Sequence, residues 1–342
     1  MRVRKTSMSP RVSIIVPCYN EQATIHELLE AIYQQTYPRG EMEVVIADGL
    51  SEDATREKIK DFQNEHPDLA VRIVDNTART IPSGVNCAIR ASVGEIIVRA
   101  DAHSRPYPNY VERCLAALDA GLGDNVGGVW NIQPGSKSWM AESIAVAAAH
   151  PLGVGDAGYR IGAQASVVDT VPFGAFRCAL IDKIGLFDES LLTNEDYEFN
   201  TRIRKAGGRV WLDPEIVTVY YARSTLSDLV RQYWRYGYWK LRMLRRYPDT
   251  LRWRQGLPPL FVTSLLGLIL LVWWPPASWL LTLEIILYGT VLSLAGLQSA
   301  LRHRRIYLFI GLPLSIAAMH LAWGAGFLWS MILSIMDNKK NG

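Results

Sequence analysis

Residues 96–103, IIVRADAH, form the stretch that decides how the fold and function of this chain are predicted. An apolar run that only Arg99 interrupts predicts a buried strand, which ends at Asp101 and His103 with one alanine between them. In an open α/β sheet, ligands bind just beyond the carboxyl ends of the strands, where this Asp-x-His lies. A carboxylate and an imidazole in that place indicate a divalent cation that binds a diphosphate. The alternative is an aspartate that caps the next helix, followed by a surface histidine.

Strands and helices alternate along the sequence before this stretch. Strands are predicted at residues 12–17, 43–47, 71–74 and 96–103, and helices at about 24–35, 53–65 and 83–92. Because this alternation favours a parallel sheet with helices on both faces, the predicted fold class is α/β. The first turn contains neither Gly-x-Gly-x-x-Gly nor a phosphate-binding loop with Gly-Lys, so a dinucleotide site and a P-loop are not supported.

Polar residues follow three of the predicted strands. They are Asn20 and Glu21 after the first, Asp48 after the second, and Asp101 and His103 after the fourth. Since the carboxyl ends of parallel strands meet at one edge of the sheet, these residues are expected to line a crevice that fits a nucleotide.

The composition excludes several other functions. The 36 basic and 33 acidic residues leave a net charge of +3, which is too small to indicate a nucleic-acid partner. The four cysteines are Cys18, Cys87, Cys114 and Cys178. Their wide spacing indicates neither a zinc site nor a disulfide framework, and it agrees with a reducing compartment.

The last third of the chain is much more apolar than the rest. Apolar segments near 257–274, 278–299 and 306–335 predict three membrane spans, the third tilted or broken near residues 311–313. A buried helical hairpin in a soluble protein is the alternative. Arginines before the first span and between the second and third predict that both flanks face the cytoplasm. Three spans would leave Lys339 and Lys340 on the opposite side, against that rule.

The predicted domains are therefore a cytoplasmic catalytic domain at 1–224, amphipathic interface helices at 225–255 and a transmembrane region at 256–336. The aromatic and basic residues of 225–246 are typical of a helix in the membrane interface. Residues 151–170, rich in glycine, predict a long binding loop or lid. This organisation predicts a multi-pass membrane protein whose first domain lies in the cytoplasm; the family resemblance described below implies that the membrane is the inner (cytoplasmic) one.

Residues 193–196, Thr-Asn-Glu-Asp, predict the start of a charged helix. Thr193 or Asn194 is expected to cap it, and acidic side chains are favoured in a first helical turn. On this pattern alone, Glu195 and Asp196 need no role beyond starting the helix.

Five motifs occur in a fixed order between residues 12 and 210. They are VSIIVPCYNE (12–21), IADGLSEDAT (46–55), Asn86 followed by Gly94-Glu95, ADAH (100–103) and FGAFRCALIDKIGLFDESLLTNEDYEFNTRIRKAGGRV (173–210). Together they resemble the family 2 glycosyltransferases with the GT-A fold, over about residues 11–240. The resemblance implies a nucleotide-diphospho-sugar transferase domain with a Rossmann-like mixed sheet, followed by the helical transmembrane region.

The resemblance also implies roles for individual residues. Nucleotide-sugar binding falls to Pro17, Tyr19, Glu21, Asp48, Asn86 and Asp101, metal binding (Mg²⁺ or Mn²⁺) to Asp101 and His103, catalysis to Asp196 with Glu195, and the acceptor or phosphate side to Gln232 and Arg235. The last pair comes from a segment that resembles the Gln-x-x-Arg-Trp motif of processive synthases, with Tyr236 in place of Trp. His103 replaces the second aspartate of the family's Asp-x-Asp, so metal binding should weaken when the imidazole is protonated.

Within the family, the chain looks most like bacterial succinoglycan-type membrane glucosyltransferases. This implies inverting transfer of a hexose from a nucleotide-diphosphate sugar, most simply a UDP-hexose, to a polyprenyl-diphosphate-linked saccharide at the membrane lipid. Three alternatives stay open: a transferase acting on polyprenyl phosphate itself, a processive polysaccharide synthase, and a membrane scaffold with a degenerate transferase domain.

Overall fold

The computed structural model describes residues 10–340, with side chains up to residue 336. The chain folds as two units: the first holds the described residues up to Asn131 together with Gly162–Tyr220, and the second holds Ile132–Ile161 and the described residues from Tyr221 onward. Residues 132–161 therefore pack with the helical second unit, whereas the sequence boundary at residue 224 assigned them to the catalytic domain.

The structure has nine strands and thirteen α-helices within the described residues. The strands are β1 (Val12–Cys18), β2 (Met42–Asp48), β3 (Ala70–Asp75), β4 (Ile96–Arg99), β5 (Ser104–Pro106), β6 (Asn125–Pro134), β7 (Ser166–Val167), β8 (Ala175–Arg177) and β9 (Val210–Ala222). The helices are α1 (Ile25–Tyr33), α2 (Thr55–Glu65), α3 (Ile81–Ala91), α4 (Tyr110–Asp119), α5 (Trp139–Ala148), α6 (Pro151–Val154), α7 (Gly158–Ile161), α8 (Ala179–Ile184), α9 (Glu195–Lys205), α10 (Leu226–Leu244), α11 (Trp253–Leu270), α12 (Pro275–His303) and α13 (Leu308–Lys340).

The strands form one mixed sheet in the order β3-β2-β1-β4-β8-β6-β9-β5, with β7 beside β9. Strand β1 is parallel to β2 and β4, whereas β8 runs antiparallel to β4 and β6. The chain builds the sheet outward from β1 in one direction and then returns to the other side of β1 with β4. This reversal of strand order is the place where open α/β sheets bind ligands. The alternation of strands and helices in the sequence predicts only the parallel strands β1 to β4, and it does not predict the antiparallel strands that follow.

The core lies on both faces of the parallel strands. Strand β2 is buried along its whole length, because helices cover both of its faces. Helix α1 buries Ile25, Leu28, Leu29 and Ile32, a spacing that places all four side chains on one face.

Gly128 in β6 marks a contact with β9 that leaves no room for a side chain. A Cβ atom at this position would lie 1.6 Å from the carbonyl oxygen of Ile216. We expect Gly128→Ala to lower the free energy of unfolding by at least about 1–3 kcal/mol, since the strands must separate to admit a methyl group. Thermal unfolding of the detergent-purified protein measures this loss. Gly40→Ala is the control, because nothing lies within 4 Å of the Cβ atom it would add. Equal melting temperatures for the two variants would contradict the expectation.

The second unit is helical, and two of its helices are long and apolar enough to cross a membrane. They are Pro275–His303 (α12) and Leu308–Met336 within α13. Helix α12 exposes large apolar side chains, for example Trp279 (75% exposed) and Leu287 (63%). Helix α11, the first predicted span, has 18 residues with prolines at positions 258 and 259. It is not among the helices that are long and apolar enough to cross a membrane. The third predicted span is expected to be tilted or broken near residues 311–313. The break is wrong, because α13 is continuous through Pro313, and the tilt stays a prediction.

Residues 151–170 do not form the long irregular loop that their glycines predict. They contain α6, α7 and β7, and the helix α6 begins with a cap from the His150 side chain to the backbone N–H of Leu152. His320 in α13 contacts the carbonyl oxygen of Leu152 at 2.8 Å. The part of the segment that belongs to the second unit is therefore attached to the last helix.

Helices α10 and α13 cross with their backbones in direct contact. A Cβ atom on Gly237 would lie 2.0 Å from the carbonyl oxygen of Trp323, and one on Gly326 would lie 2.3 Å from that of Trp234. One glycine on each helix thus permits the approach, and the two contacts define an antiparallel crossing.

Candidate active site

The centre of the candidate site is Arg99, the last residue of β4. Its side chain is only 2% exposed. Nη2 lies 3.0 Å from Oε1 of Glu195 and 3.2 Å from Oδ1 of Asp101, and Nη1 bonds to Oδ1 of Asp196. One guanidinium group therefore binds the first aspartate of the Asp-x-His motif and both acidic residues that start α9.

Backbone contacts between β4 and the turn before β8 hold this cluster in place. The N–H of Arg99 donates to the carbonyl oxygen of Gly174 at 3.0 Å. The N–H of Phe173 donates to Oδ2 of Asp196 at 3.3 Å. Phe173 and Gly174 both have positive φ, 64° and 74°. This conformation directs the N–H of Phe173 to Asp196 and the carbonyl oxygen of Gly174 to the backbone of Arg99.

Strained backbone recurs around the site. Asn20, Leu50, Phe173 and Asn194 have φ between 54° and 69°, and each lies within two residues of a predicted site residue or contacts one. Such conformations cost about 1–3 kcal/mol each and concentrate at functional sites. This conformation of Asn194 also bears on the predicted helix cap, for which Thr193 and Asn194 are the alternatives. Asn194 precedes α9 but makes no side-chain cap, and its carbonyl oxygen accepts from the N–H of Glu198 at 2.9 Å instead.

The surroundings of Asp196 favour its protonated form more than those of an ordinary aspartate. Its side chain is 23% exposed, but protein surrounds the carboxylate itself. This burial raises the pKa of Asp196 to about 7; Arg99 opposes the rise, and the nearby carboxylates of Glu195 and Asp101 add to it. For Arg99, burial lowers the pKa but the three carboxylates more than compensate, so the guanidinium carries a permanent charge. A carboxylate whose pKa lies near neutrality is well suited to accept and release a proton.

His103 lies in the turn between β4 and β5, and its Nδ1 is 3.1 Å from Oε1 of Glu21. Burial raises the pKa of Glu21, but hydrogen bonds from His103 and Thr24 lower it below its ordinary value, so the carboxylate is ionised. An ionised carboxylate only accepts, which assigns the proton to Nδ1 and leaves Nε2 as the basic nitrogen. Histidines that bind metals are oriented by a carboxylate in this way.

Asp101 and His103 therefore fit a divalent cation held partly by substrate. Within residues 10–336, no three His, Cys, Asp or Glu side chains are grouped so that they could enclose a metal ion. Mg²⁺ sites of phosphate-transferring enzymes commonly use one or two protein ligands and complete their coordination with phosphate oxygens and water. The donor set present suits such a shared site and does not suit a site made by the protein alone.

Two of the predicted nucleotide-sugar ligands are already bonded within the protein. Asp48 is fully buried at the end of β2 and bonds to Arg56 and Ser51. Asn86, 1% exposed, donates to the carbonyl oxygen of Phe187 at 2.9 Å and accepts from its N–H at 2.9 Å. These contacts shape the walls of the crevice. Direct contact of either side chain with a nucleotide sugar stays a prediction.

The remaining predicted ligands lie in two places. Pro17 and Tyr19 are at the end of β1, where Tyr19 is 41% exposed and stacks under the guanidinium of Arg79 at 5.6 Å. Gln232 and Arg235 lie in α10 of the second unit, and Nε2 of Gln232 donates to the hydroxyl of Tyr236 at 3.0 Å. Their roles in binding also stay predictions.

Comparison with known proteins identifies the chemistry that this geometry serves. The family model described as Glycosyl transferase family 2 matches residues 13–185, and the succinoglycan biosynthesis protein ExoA of Rhizobium meliloti (strain 1021) is 31% identical over 325 residues, 94% of each chain. The chain belongs to glycosyltransferase family 2. Its recognition from the five motifs is confirmed, and glycosyl transfer is its activity in general terms.

Two further relatives extend this assignment. A dolichyl N-acetyl-alpha-D-glucosaminyl phosphate 3-beta-D-2,3-diacetamido-2,3-dideoxy-beta-D-glucuronosyltransferase of Methanococcus voltae is 27% identical over 327 residues, 94% of this chain and 97% of that protein. The structure of the mannosyltransferase PcManGT from Pyrobaculum calidifontis, in complex with GDP-Man and Mn²⁺, aligns with a TM-score of 0.60 at 22% identity, over 92% of this chain and 88% of that one. The likeness to PcManGT concerns the fold, and it confirms the predicted GT-A class.

Arg99 is the residue to which sequence reasoning assigned no role in this glycosyltransferase site. A signal was present, because it is the only charged residue in an apolar run that leads directly to the Asp-x-His motif. A cation in the middle of a buried strand requires a partner, since an unpaired buried charge is strongly disfavoured. The partners, Glu195 and Asp196, are almost a hundred residues away in the chain.

The prediction that Asp196 is the base, combined with its raised pKa, gives an expected pH dependence for glycosyl transfer. Only the ionised carboxylate can accept a proton, and the ionised fraction falls as the pH drops through the pKa, which is about 7. We expect kcat to decline about tenfold per pH unit below that value and to level off above it. Measuring kcat from pH 5 to 9 with saturating donor and metal tests this. Full activity at pH 5 would contradict it.

Proposed function

We propose that this enzyme is an inverting, metal-dependent glycosyltransferase that moves a hexose from a nucleotide-diphosphate sugar, in the first instance a UDP-hexose, to a membrane lipid-linked saccharide. The observation that carries the proposal is the single cluster in which Arg99 holds Asp101 beside Asp196. Asp101 is suited to the donor diphosphate and Asp196 to the acceptor hydroxyl, and both bond to the guanidinium group of Arg99.

The reaction is a single in-line displacement. The acceptor hydroxyl oxygen attacks the anomeric carbon, the bond from that carbon to the diphosphate breaks, and Asp196 takes the hydroxyl proton. Glu195, bonded to Arg99, serves as a positioning group. With one base and no carboxylate nucleophile, the configuration at the anomeric carbon inverts, so an α-linked donor gives a β-linked product. The name of the M. voltae relative specifies a beta linkage, which supports this outcome.

The donor occupies the crevice at the ends of β1, β2 and β4. Pro17, Tyr19, Glu21, Asp48 and Asn86 form or support its walls, and Asp101 and His103 would hold the cation. A bound Mg²⁺ or Mn²⁺ offsets the charge that develops on the leaving diphosphate. The Mn²⁺ and GDP-Man in the PcManGT complex support both the metal and a nucleotide-diphosphate donor. Glu21 orients the imidazole of His103 for this task.

The acceptor is proposed to be a polyprenyl-diphosphate-linked saccharide, and the enzyme to lie on the cytoplasmic face of the inner membrane. The M. voltae relative is named for transfer to a dolichyl-phosphate-linked sugar, and the R. meliloti relative for succinoglycan biosynthesis. The exposed apolar surface of α12 and the basic residues of α10 support membrane attachment. A substrate that cannot leave the bilayer requires an enzyme at its surface.

The test is a donor panel with the enzyme purified in detergent. UDP-, GDP- and dTDP-hexoses are incubated with and without Mn²⁺, first alone and then with polyprenyl-diphosphate-linked monosaccharides. Metal-dependent nucleotide release from one donor, with a longer lipid-linked product whose new linkage is inverted, supports the proposal. Transfer to polyprenyl phosphate alone, a long polymer, or the absence of any nucleotide binding would each contradict it.

A further inference from the structure

Arg99 binds three carboxylates that the proposed reaction uses for different purposes. Its Nη2 is shared between Asp101, on the donor side, and Glu195, and its Nη1 bonds to Asp196, on the acceptor side. The donor-side and acceptor-side carboxylates are thus joined through a single planar group. Arginine suits this because its fork of N–H donors has a fixed geometry, whereas lysine offers one flexible ammonium.

The guanidinium group itself is held firmly. It is 2% exposed, and it lies 5.8 Å and 6.0 Å from the ring centres of Phe173 and Phe187. The backbone of Arg99 belongs to β4, and its N–H is bonded to the carbonyl oxygen of Gly174. Nε lies buried without a hydrogen-bond partner among the described residues, so the bonds of Nη1 and Nη2 and the two rings hold the group. A group held in this way can act as a reference for the side chains bonded to it.

Neutralisation alone does not explain Arg99. Three carboxylates surround one guanidinium and outnumber its positive charge, so Arg99 does not balance its surroundings. What Arg99 adds beyond charge is geometry.

We propose that Arg99 is a positioning residue that fixes Asp101 and Asp196 relative to each other, so that the leaving diphosphate and the attacking hydroxyl are held in one alignment. This inference rests on the proposed function. Loss of a purely structural arginine would lower donor binding and transfer together. Loss of a positioning residue should leave donor binding intact while productive transfer is lost.

The experiment uses Arg99→Ala and Arg99→Lys in the full-length enzyme with the UDP-hexose selected by the donor panel. We expect kcat for transfer to fall about 10–100-fold, as for supporting residues of other active sites, with the donor KM within about threefold of the wild type. Donor hydrolysis should fall less than transfer, so the ratio of hydrolysis to transfer rises. Millimolar guanidinium chloride should restore transfer by Arg99→Ala, while potassium chloride at equal ionic strength should not.

Arg72→Met is the matched control. Arg72 is also in the first unit, on β3, and it forms an ion pair with the buried Glu43 at 2.6 Å. Its loss removes an ion pair from the sheet that carries Arg99, and its bonds, to Glu43 and to the carbonyl oxygen of Ala91, do not reach a site residue. We expect a lower melting temperature and an unchanged ratio of hydrolysis to transfer.

Arg99→Lys covers the case in which Arg99→Ala does not fold, because it keeps the positive charge and most of the volume. Wild-type kcat in Arg99→Lys, or an Arg99→Ala enzyme that loses donor affinity and transfer in parallel and does not respond to guanidinium, would overturn the inference. A wild-type enzyme that binds UDP and Mn²⁺ in calorimetry but transfers to no lipid-linked saccharide would instead contradict the proposed function. The two failures are therefore distinguishable.

Discussion

Asp196→Asn is expected to lower kcat for transfer about 10²–10⁴-fold while donor binding stays intact. The amide has nearly the same shape as the carboxylate but cannot take the acceptor proton. The substitution also replaces one of the three charged partners of Arg99 by a neutral acceptor, so calorimetry with UDP and Mn²⁺ should accompany the kinetics to show that the donor side is preserved.

The matched control is Asp182→Asn, an exposed aspartate on α8 that lies outside the site. It should transfer at the wild-type rate. The pair of variants also discriminates between acceptors, because polyprenyl phosphate is already an anion and needs no base. Substantial residual transfer by Asp196→Asn would therefore count against a hydroxyl acceptor and in favour of direct attack by a phosphate.

Asp101→Asn is expected to lower transfer about 10²–10³-fold, because it weakens the stabilisation of charge on the leaving diphosphate. Chelation of metal from the wild type with EDTA should have a similar effect, which added Mn²⁺ or Mg²⁺ reverses. In Asp101→Asn the metal concentration needed for half-maximal activity should rise. An Asp101→Asn enzyme with wild-type activity in EDTA would show that the motif holds no cation.

The replacement His103→Asp provides the complementary result. It restores the Asp-x-Asp pattern from which this chain departs, and we expect it to keep metal-dependent transfer. Since a carboxylate ligand does not need to lose a proton near neutrality, any part of the acidic decline of activity that comes from His103 should disappear in this variant. The part that comes from Asp196 should remain.

Sequence patterns predicted the local elements of the parallel half of this fold because each of those elements carries its own signal. The apolar run of β2 and the one-sided apolar pattern of α1 need no knowledge of the rest of the chain. The acidic residues at the start of α9 are also recognisable from their own segment of sequence. The candidate base, Asp196, could therefore be named from the family motif. The pairing of Arg99 with Asp196 could not, since nothing in either segment encodes a contact across 97 residues of sequence.

The wrong predictions have the same origin. Glycine in residues 151–170 and Pro313 in α13 are signals for irregular backbone, but packing decides otherwise. Gly153 permits α6 to approach the carbonyl oxygen of Ala147, and Pro313 lies against Gly296 of α12. In both places a glycine, Gly153 in α6 and Gly296 in α12, allows two segments to approach closely.

The backbone contact between α10 and α13 has a consequence for how deeply the enzyme enters the bilayer. The crossing at Trp323–Gly326 lies near the middle of the apolar stretch of α13, yet α10 and the residues that follow it carry Arg231, Arg235, Lys240, Arg242, Arg245 and Arg246. Each such charge costs about 2.5–3.5 kcal/mol at the centre of the hydrocarbon.

Because no layer of side chains separates the two backbones at the crossing, any position that takes this part of α13 into the hydrocarbon takes the arginine-rich α10 with it. We expect the crossing to lie at the level of the lipid headgroups instead, where the positive charges of α10 stay in contact with water and anionic headgroups.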